Sequence, residues 1–139
     1  MSTALALDHA GLSVADLAAS AHFYGAAFGF VEELAFELPH QVRGVMLRHP
    51  SGARIELFER AGSVPGLQAA SPIEALATRG YGHLALAAAD IEPVFWTAVE
   101  VGARPVVEPG PSPEPGVRFA FLADPEGNLV ELVERRGIL

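Results

Sequence analysis

Apolar and polar residues alternate along Leu5 to Val14, with Leu5, Leu7, His9 and Gly11 on one side and Ala6, Asp8, Ala10 and Leu12 on the other. That is the period of a strand, and it puts His9 and Asp8 on opposite faces. After Asp16, a good N-cap, the period lengthens: Leu17, Ala21, Tyr24 and Phe28 fall at helical spacing, and Gly29 stands where a helix end needs a left-handed residue. Phe30 to Leu38 reads as a strand, Pro39 and His40 as a turn, and Val42 to Leu47 as a strand. A turn at Pro50-Ser51-Gly52 then leads into a strand from Arg54 to Glu59. The order is β-α-β-β-β.

Glycines and prolines interrupt this rhythm between Ala61 and Gly80, leaving room for a short helix at Ile73 to Thr78. So long a segment is either a connection between halves or a wall of a site. The same order then begins again. Gly82 to Ala88 is a strand, Asp90 an N-cap, and Ile91, Val94, Phe95 and Ala98 the apolar stripe of a helix with Pro93 in its first turn. Pro105 to Val107 reads as a short edge strand and the proline-rich stretch Glu108 to Gly116 as loop. Val117 to Leu122, a turn at Asp124 to Gly127, and Leu129 to Val133 complete the round.

The repeat shows in its spacing. His9 precedes Asp16 by seven positions and His83 precedes Asp90 by seven, while His9 to Glu56 spans 47 positions and His83 to Glu131 spans 48. HPSGARIELFER and DPEGNLVELVER carry the same Pro-x-Gly turn, with a glutamate four positions after the glycine. These coincidences indicate a duplicated βαβββ module. Residues 1–60 form the first module, 61–80 a linker or covering loop, and 81–139 the second, together one domain.

A net charge of -8 with nine arginines and no lysine opposes binding to a nucleic-acid backbone. With no cysteine, disulfides and thiolate chemistry are excluded. The leading MSTALALDHAG lacks the basic region of a signal peptide and no apolar run is long enough to span a membrane, so the expected location is cytoplasmic.

His9, Glu56, His83 and Glu131 supply two imidazoles and two carboxylates, a donor set suited to a divalent cation with positions left open for substrate. Glu56 and Glu131 each lie between apolar neighbours, so all four donors can face away from the helices. Residues of the same parity, Ser13, Phe58, Ala85, Ala87 and Val133, with Phe119, Phe121 or Met46, would line a small apolar pocket, and Arg54 or Arg60 would meet a substrate carboxylate. The other candidates have plainer roles: His40 and His49 in turns, Asp16 and Asp90 as caps, Asp124 holding its turn, and Trp96 mostly in the core.

The segments LDHAGLSVADLAASAHFYGAAFGF, ARIELFE, YGHLALAAAD and FLADPEGNLVELVE resemble the vicinal oxygen chelate superfamily, which includes glyoxalase I, methylmalonyl-CoA epimerase, extradiol dioxygenases and the fosfomycin and bleomycin resistance proteins. The resemblance implies an α+β fold of two tandem βαβββ modules forming a curved, open, barrel-like mixed sheet with helices outside, often as a homodimer. It also places His9, Glu56, His83 and Glu131 on the metal ligands of the glyoxalase I-like branch, with Ni, Zn, Co, Mn or Fe as the ion. That branch implies a lyase or isomerase acting on a small carbonyl/hydroxy substrate through an enediolate, with Glu131 as base and Glu56 as its symmetry-related alternative. The bacterial glyoxalase I residues that contact glutathione are replaced here by Ser13 and Arg60. Other branches imply an iron(II) ring-cleaving dioxygenase using His9, His83 and Glu131, or a resistance protein that binds an antibiotic without turnover.

Overall fold

The computed structural model describes residues 3–137; residues 1, 2, 138 and 139, at the outer ends of the two expected modules, lie outside them. The chain divides into two compact units, one made of residues up to 25 together with 29–63, the other of 26–28 and those from 64 onward.

The first unit runs β1 (Ala10–Ser13), α1 (Leu17–Phe28), β2 (Val31–Leu38), β3 (Val42–Arg48) and β4 (Arg54–Arg60), the last turn of α1 being grouped with the second unit. Its sheet has the order β1-β4-β3-β2, with β1 parallel to β4 and the other pairs antiparallel. The second unit contains α2 (Pro72–Ala75), β5 (Leu84–Ala87), α3 (Ile91–Glu100), β6 (Arg104–Pro111), β7 (Arg118–Ala123) and β8 (Leu129–Glu134). Its sheet order, β5-β8-β7-β6, repeats the first, and β5 is again parallel to its neighbour. The chain is therefore α+β, two tandem βαβββ modules, each with a mixed four-stranded sheet.

The turns that deliver β4 and β8 share their backbone hydrogen bonds. Gly52 and Gly127 take φ of 99° and 91°, conformations glycine adopts without strain. Their N–H groups donate to His49 and Asp124 carbonyls at 2.9 Å. The buried Asp124 carboxylate accepts from the Glu126 and Asn128 N–H groups, both at 2.9 Å, which is the turn-holding role read from the sequence. At the equivalent place His49 Nδ1 accepts from Ser51 N–H at 3.0 Å.

Period-two burial separates two faces of each sheet. On one lie Val45, Leu47, Ile55 and Leu57, and in the second unit Ala120, Leu122, Val130 and Leu132, all buried. There α3 packs on β6, β7 and β8 through Ile91, Phe95 and Ala98. Burying a side chain the size of Phe or Ile contributes roughly 1.5–3 kcal/mol. The opposite faces carry the glutamates.

Several elements differ from the sequence reading. β1 begins at Ala10 and β5 at Leu84, later than Leu5 and Gly82, because their partners β4 and β8 start only at Arg54 and Leu129 and leave the earlier residues no ladder. β6 extends through Glu108–Pro111, expected as loop. As an edge strand with register shifts it tolerates prolines that cannot donate. In α1 the buried residues are Ser20, Phe23, Tyr24 and Ala27, a face rotated from the expected stripe. The helix is apolar almost all round, so its period does not choose a side. Trp96 is 41% exposed, its indole N–H donating to Glu92 at 3.1 Å.

Candidate functional site

In the first unit, β1 and β4 run parallel with Gly11 opposite Glu56 and Ser13 opposite Phe58. His9 stands two residues before Gly11, just ahead of the strand, and its Nε2 lies 3.5 Å from Glu56 Oε1. The second unit repeats this: Ala85 is opposite Glu131, and Nε2 of His83 lies 3.0 Å from Glu131 Oε2. Each histidine thus presents the same ring nitrogen to the glutamate of the adjacent strand, and all four side chains are partly exposed. Two donors meet in each unit, while the described residues hold no group of three or more His, Asp or Glu side chains able to share one ion.

The surroundings of each pair follow strand parity. Beside Glu56 lie Met46 and, across the sheet, Leu34, with Gly44 between Phe36 and Phe58. The Phe36 and Phe58 rings meet edge to face at 5.9 Å. Arg60, the last residue of β4, is exposed. Arg54 is already engaged: its guanidinium forks onto Glu33 at 2.8 and 3.0 Å, so it is not available for a substrate carboxylate. Glu33 is the extra residue of a bulge between Glu32 and Leu34, which re-aims its side chain.

Around Glu131 lie Ala85, Phe121 opposite it on β7, and Val133 with Phe119 opposite. His83 sits edge-on to Phe121 at 5.0 Å. On this same face Phe121, Ala123 and Leu129 cluster with Ala69 and Ala75, with Leu67 packed against them. The connecting segment is therefore a wall over the Glu131 face of the second sheet.

Two features were missed in the sequence. Asp8 does not point away from His9; its Oδ2 lies 2.7 Å from His9 Nδ1, because the segment ahead of Ala10 is outside the sheet and alternation does not govern it. This hydrogen bond, and then the charge of Glu56, raises the His9 pKa above its ordinary value, and the same bond holds the Asp8 carboxyl below its own. The second feature is a repeated anchor at the helix starts. Glu59 accepts the Leu17 N–H at 2.7 Å and Glu134 accepts the Ile91 N–H at 3.0 Å, each paired with an arginine of the neighbouring strand, Arg43 and Arg118. The shared spacing E-L-F-E and E-L-V-E was the available signal.

A solved glyoxylase/bleomycin resistance protein/dioxygenase domain from Frankia sp. EAN1pec aligns over 96% of this chain and 100% of its own, with TM-score 0.80 and 18% identity. A glyoxalase family protein from Bacillus cereus aligns over 98% and 97%, with TM-score 0.78 and 21% identity. Glyoxalase I from Zea mays aligns over 92% of this chain with TM-score 0.75 and 24% identity, and the chain spans only 44% of the maize protein. At these identities the likeness is one of fold. No match was found among curated proteins. The family model for the Glyoxalase/Bleomycin resistance protein/Dioxygenase superfamily matches residues 6–132, most of both modules and all of their connection, so the chain belongs to that superfamily.

Proposed function

We propose that the protein is a divalent-metal-dependent lyase or isomerase, with His9, Glu56, His83 and Glu131 as one four-donor set. The observation that carries this reading is the repetition of one geometry, a histidine Nε2 set against a strand glutamate at 3.5 Å and again at 3.0 Å. Two imidazoles and two carboxylates suit Ni, Zn, Co, Mn or Fe as divalent ions. When bound, such an ion would supply Lewis acidity that stabilises negative charge developing on the substrate.

The chain's own residues do the rest. Glu131 removes the proton alpha to the substrate carbonyl and returns it, with Glu56 as the symmetry-related alternative. Ser13, Phe58, Arg60, Ala85 and Phe119 contact the substrate. The Glu56 and Glu131 faces carry Leu34, Phe36, Met46, Phe58, Phe119 and Phe121, so the substrate body is small and apolar or aromatic. Arg60 is the cation left for a substrate carboxylate once Arg54 is committed to Glu33.

The test is metal analysis of the purified protein beside the Glu56→Gln and Glu131→Gln variants, with solvent deuterium exchange at the alpha carbon of aryl hydroxyketones. Each variant should lose metal and exchange. Retention of both in both variants would overturn the proposal, and oxygen uptake with a catechol would replace it with ring cleavage.

A further inference from the structure

The two histidine–glutamate pairs share their geometry but not their support. His9 Nδ1 faces Asp8 Oδ2 at 2.7 Å. Residue 82, at the place of Asp8 in the repeat, is glycine, and among the described residues no carboxylate is recorded on His83 Nδ1. Resting on the metal reading above, we propose that Asp8 is a positioning residue that fixes the tautomer of His9, making His9 and Glu56 the stronger of the two donor pairs.

An ionised carboxylate only accepts hydrogen bonds, so the Asp8 contact requires the ring proton on Nδ1. A neutral His9 then presents the Nε2 lone pair toward Glu56 Oε1 at 3.5 Å. Two electron-rich atoms face each other there, an arrangement relieved by a cation between them. Histidines that bind metal through one nitrogen commonly donate from the other to a carboxylate, which sets the ring and raises its basicity. His83 is held differently, by the edge-on Phe121 ring at 5.0 Å. Its Nε2, 3.0 Å from Glu131 Oε2, is close enough to share a proton with that carboxylate. In the second module that proton must leave before Nε2 can ligate; in the first, Asp8 has already drawn the proton to the far nitrogen.

The test uses the full chain without metal, at a pH where the rings are neutral, with nitrogen-15 NMR of the histidines and Zn2+ affinity from competition with a chromophoric chelator. His9 should be the Nδ1–H tautomer and His83 the Nε2–H tautomer. Asp8→Ala should move His9 toward Nε2–H and weaken Zn2+ about tenfold or more, within the range typical for lost outer partners of metal ligands. Asp8→Asn, which keeps an acceptor oxygen, should recover the tautomer and part of the affinity. A Cβ at Gly82 meets nothing within 4 Å, so Gly82→Asp should install the missing carboxylate and tighten Zn2+ binding. His9 found as Nε2–H in the wild type, or tautomer and Zn2+ affinity both unmoved in Asp8→Ala, would overturn the proposal. A wild-type chain that binds no Zn2+ would instead overturn the metal reading, leaving the NMR result to decide whether Asp8 sets the ring.

Discussion

Phe36 leaves Gly44 no room for a side chain: a Cβ there would lie 2.4 Å from the ring. Gly44 sits in β3 on the same face as Glu56, opposite Phe36 on one side and Phe58 on the other. The glycine therefore lets two aromatic rings close over the strand beside the candidate site. Gly44→Ala should cost about 1–3 kcal/mol, the usual range for overpacking, measured by urea unfolding. In a Phe36→Ala background the same change should cost little, because the three atoms nearest to that Cβ all belong to the Phe36 ring. Equal costs in both backgrounds would point to a backbone origin. Nothing in the one-dimensional pattern marks Gly44, whereas Glu56 and Glu131 stood out as charges between apolar neighbours. Asp8 was hidden for another reason: strand alternation was extended past the point where its partner strand ends.

The helices are tied to the sheets by the carboxylates at the ends of β4 and β8. The Leu17 N–H, and after it the Arg43 guanidinium, hold the Glu59 carboxyl below its ordinary 4.5. A carboxyl depressed on folding contributes stability above the unfolded value and loses it as pH falls through the folded one. Thermal melts should thus show part of the stability disappearing as the pH drops below 4.5. Glu59→Gln should melt lower than wild type at neutral pH, and the two curves should converge in acid; a constant offset at every pH would refute this role. The order of elements was legible because each element's period is supported by its own cap or turn: Asp16, Asp90, Gly52 and Gly127. The buried side of α1 and the reach of β6 were not. An all-apolar helix and a proline-bearing edge strand are settled by what packs or pairs with them, which no local pattern records. The connecting segment has two readings in the sequence, and the packing of Ala69 and Ala75 on Phe121 and Leu129 brings part of it against the second sheet.

For the whole molecule, the proposed four-donor set predicts one ion for the two donor pairs. A single four-donor set takes up one ion per pair of modules, and removing either glutamate abolishes it; two separate sites would each survive loss of the other. The two pairs of the proposed set belong either to one chain or to two, and the two arrangements give opposite outcomes in one experiment. Mixing Glu56→Gln with Glu131→Gln chains separates the arrangements. If sites form across protomers, a mixed dimer contains one site with both changes and one with neither, so metal binding and deuterium exchange return on mixing, although neither variant alone has them. If both pairs of a site belong to one chain, every site keeps one damaged glutamate and nothing returns. Recovery, measured as bound metal per chain after co-refolding, would assign the two pairs of a site to two chains. Its absence would assign both pairs of a site to a single chain.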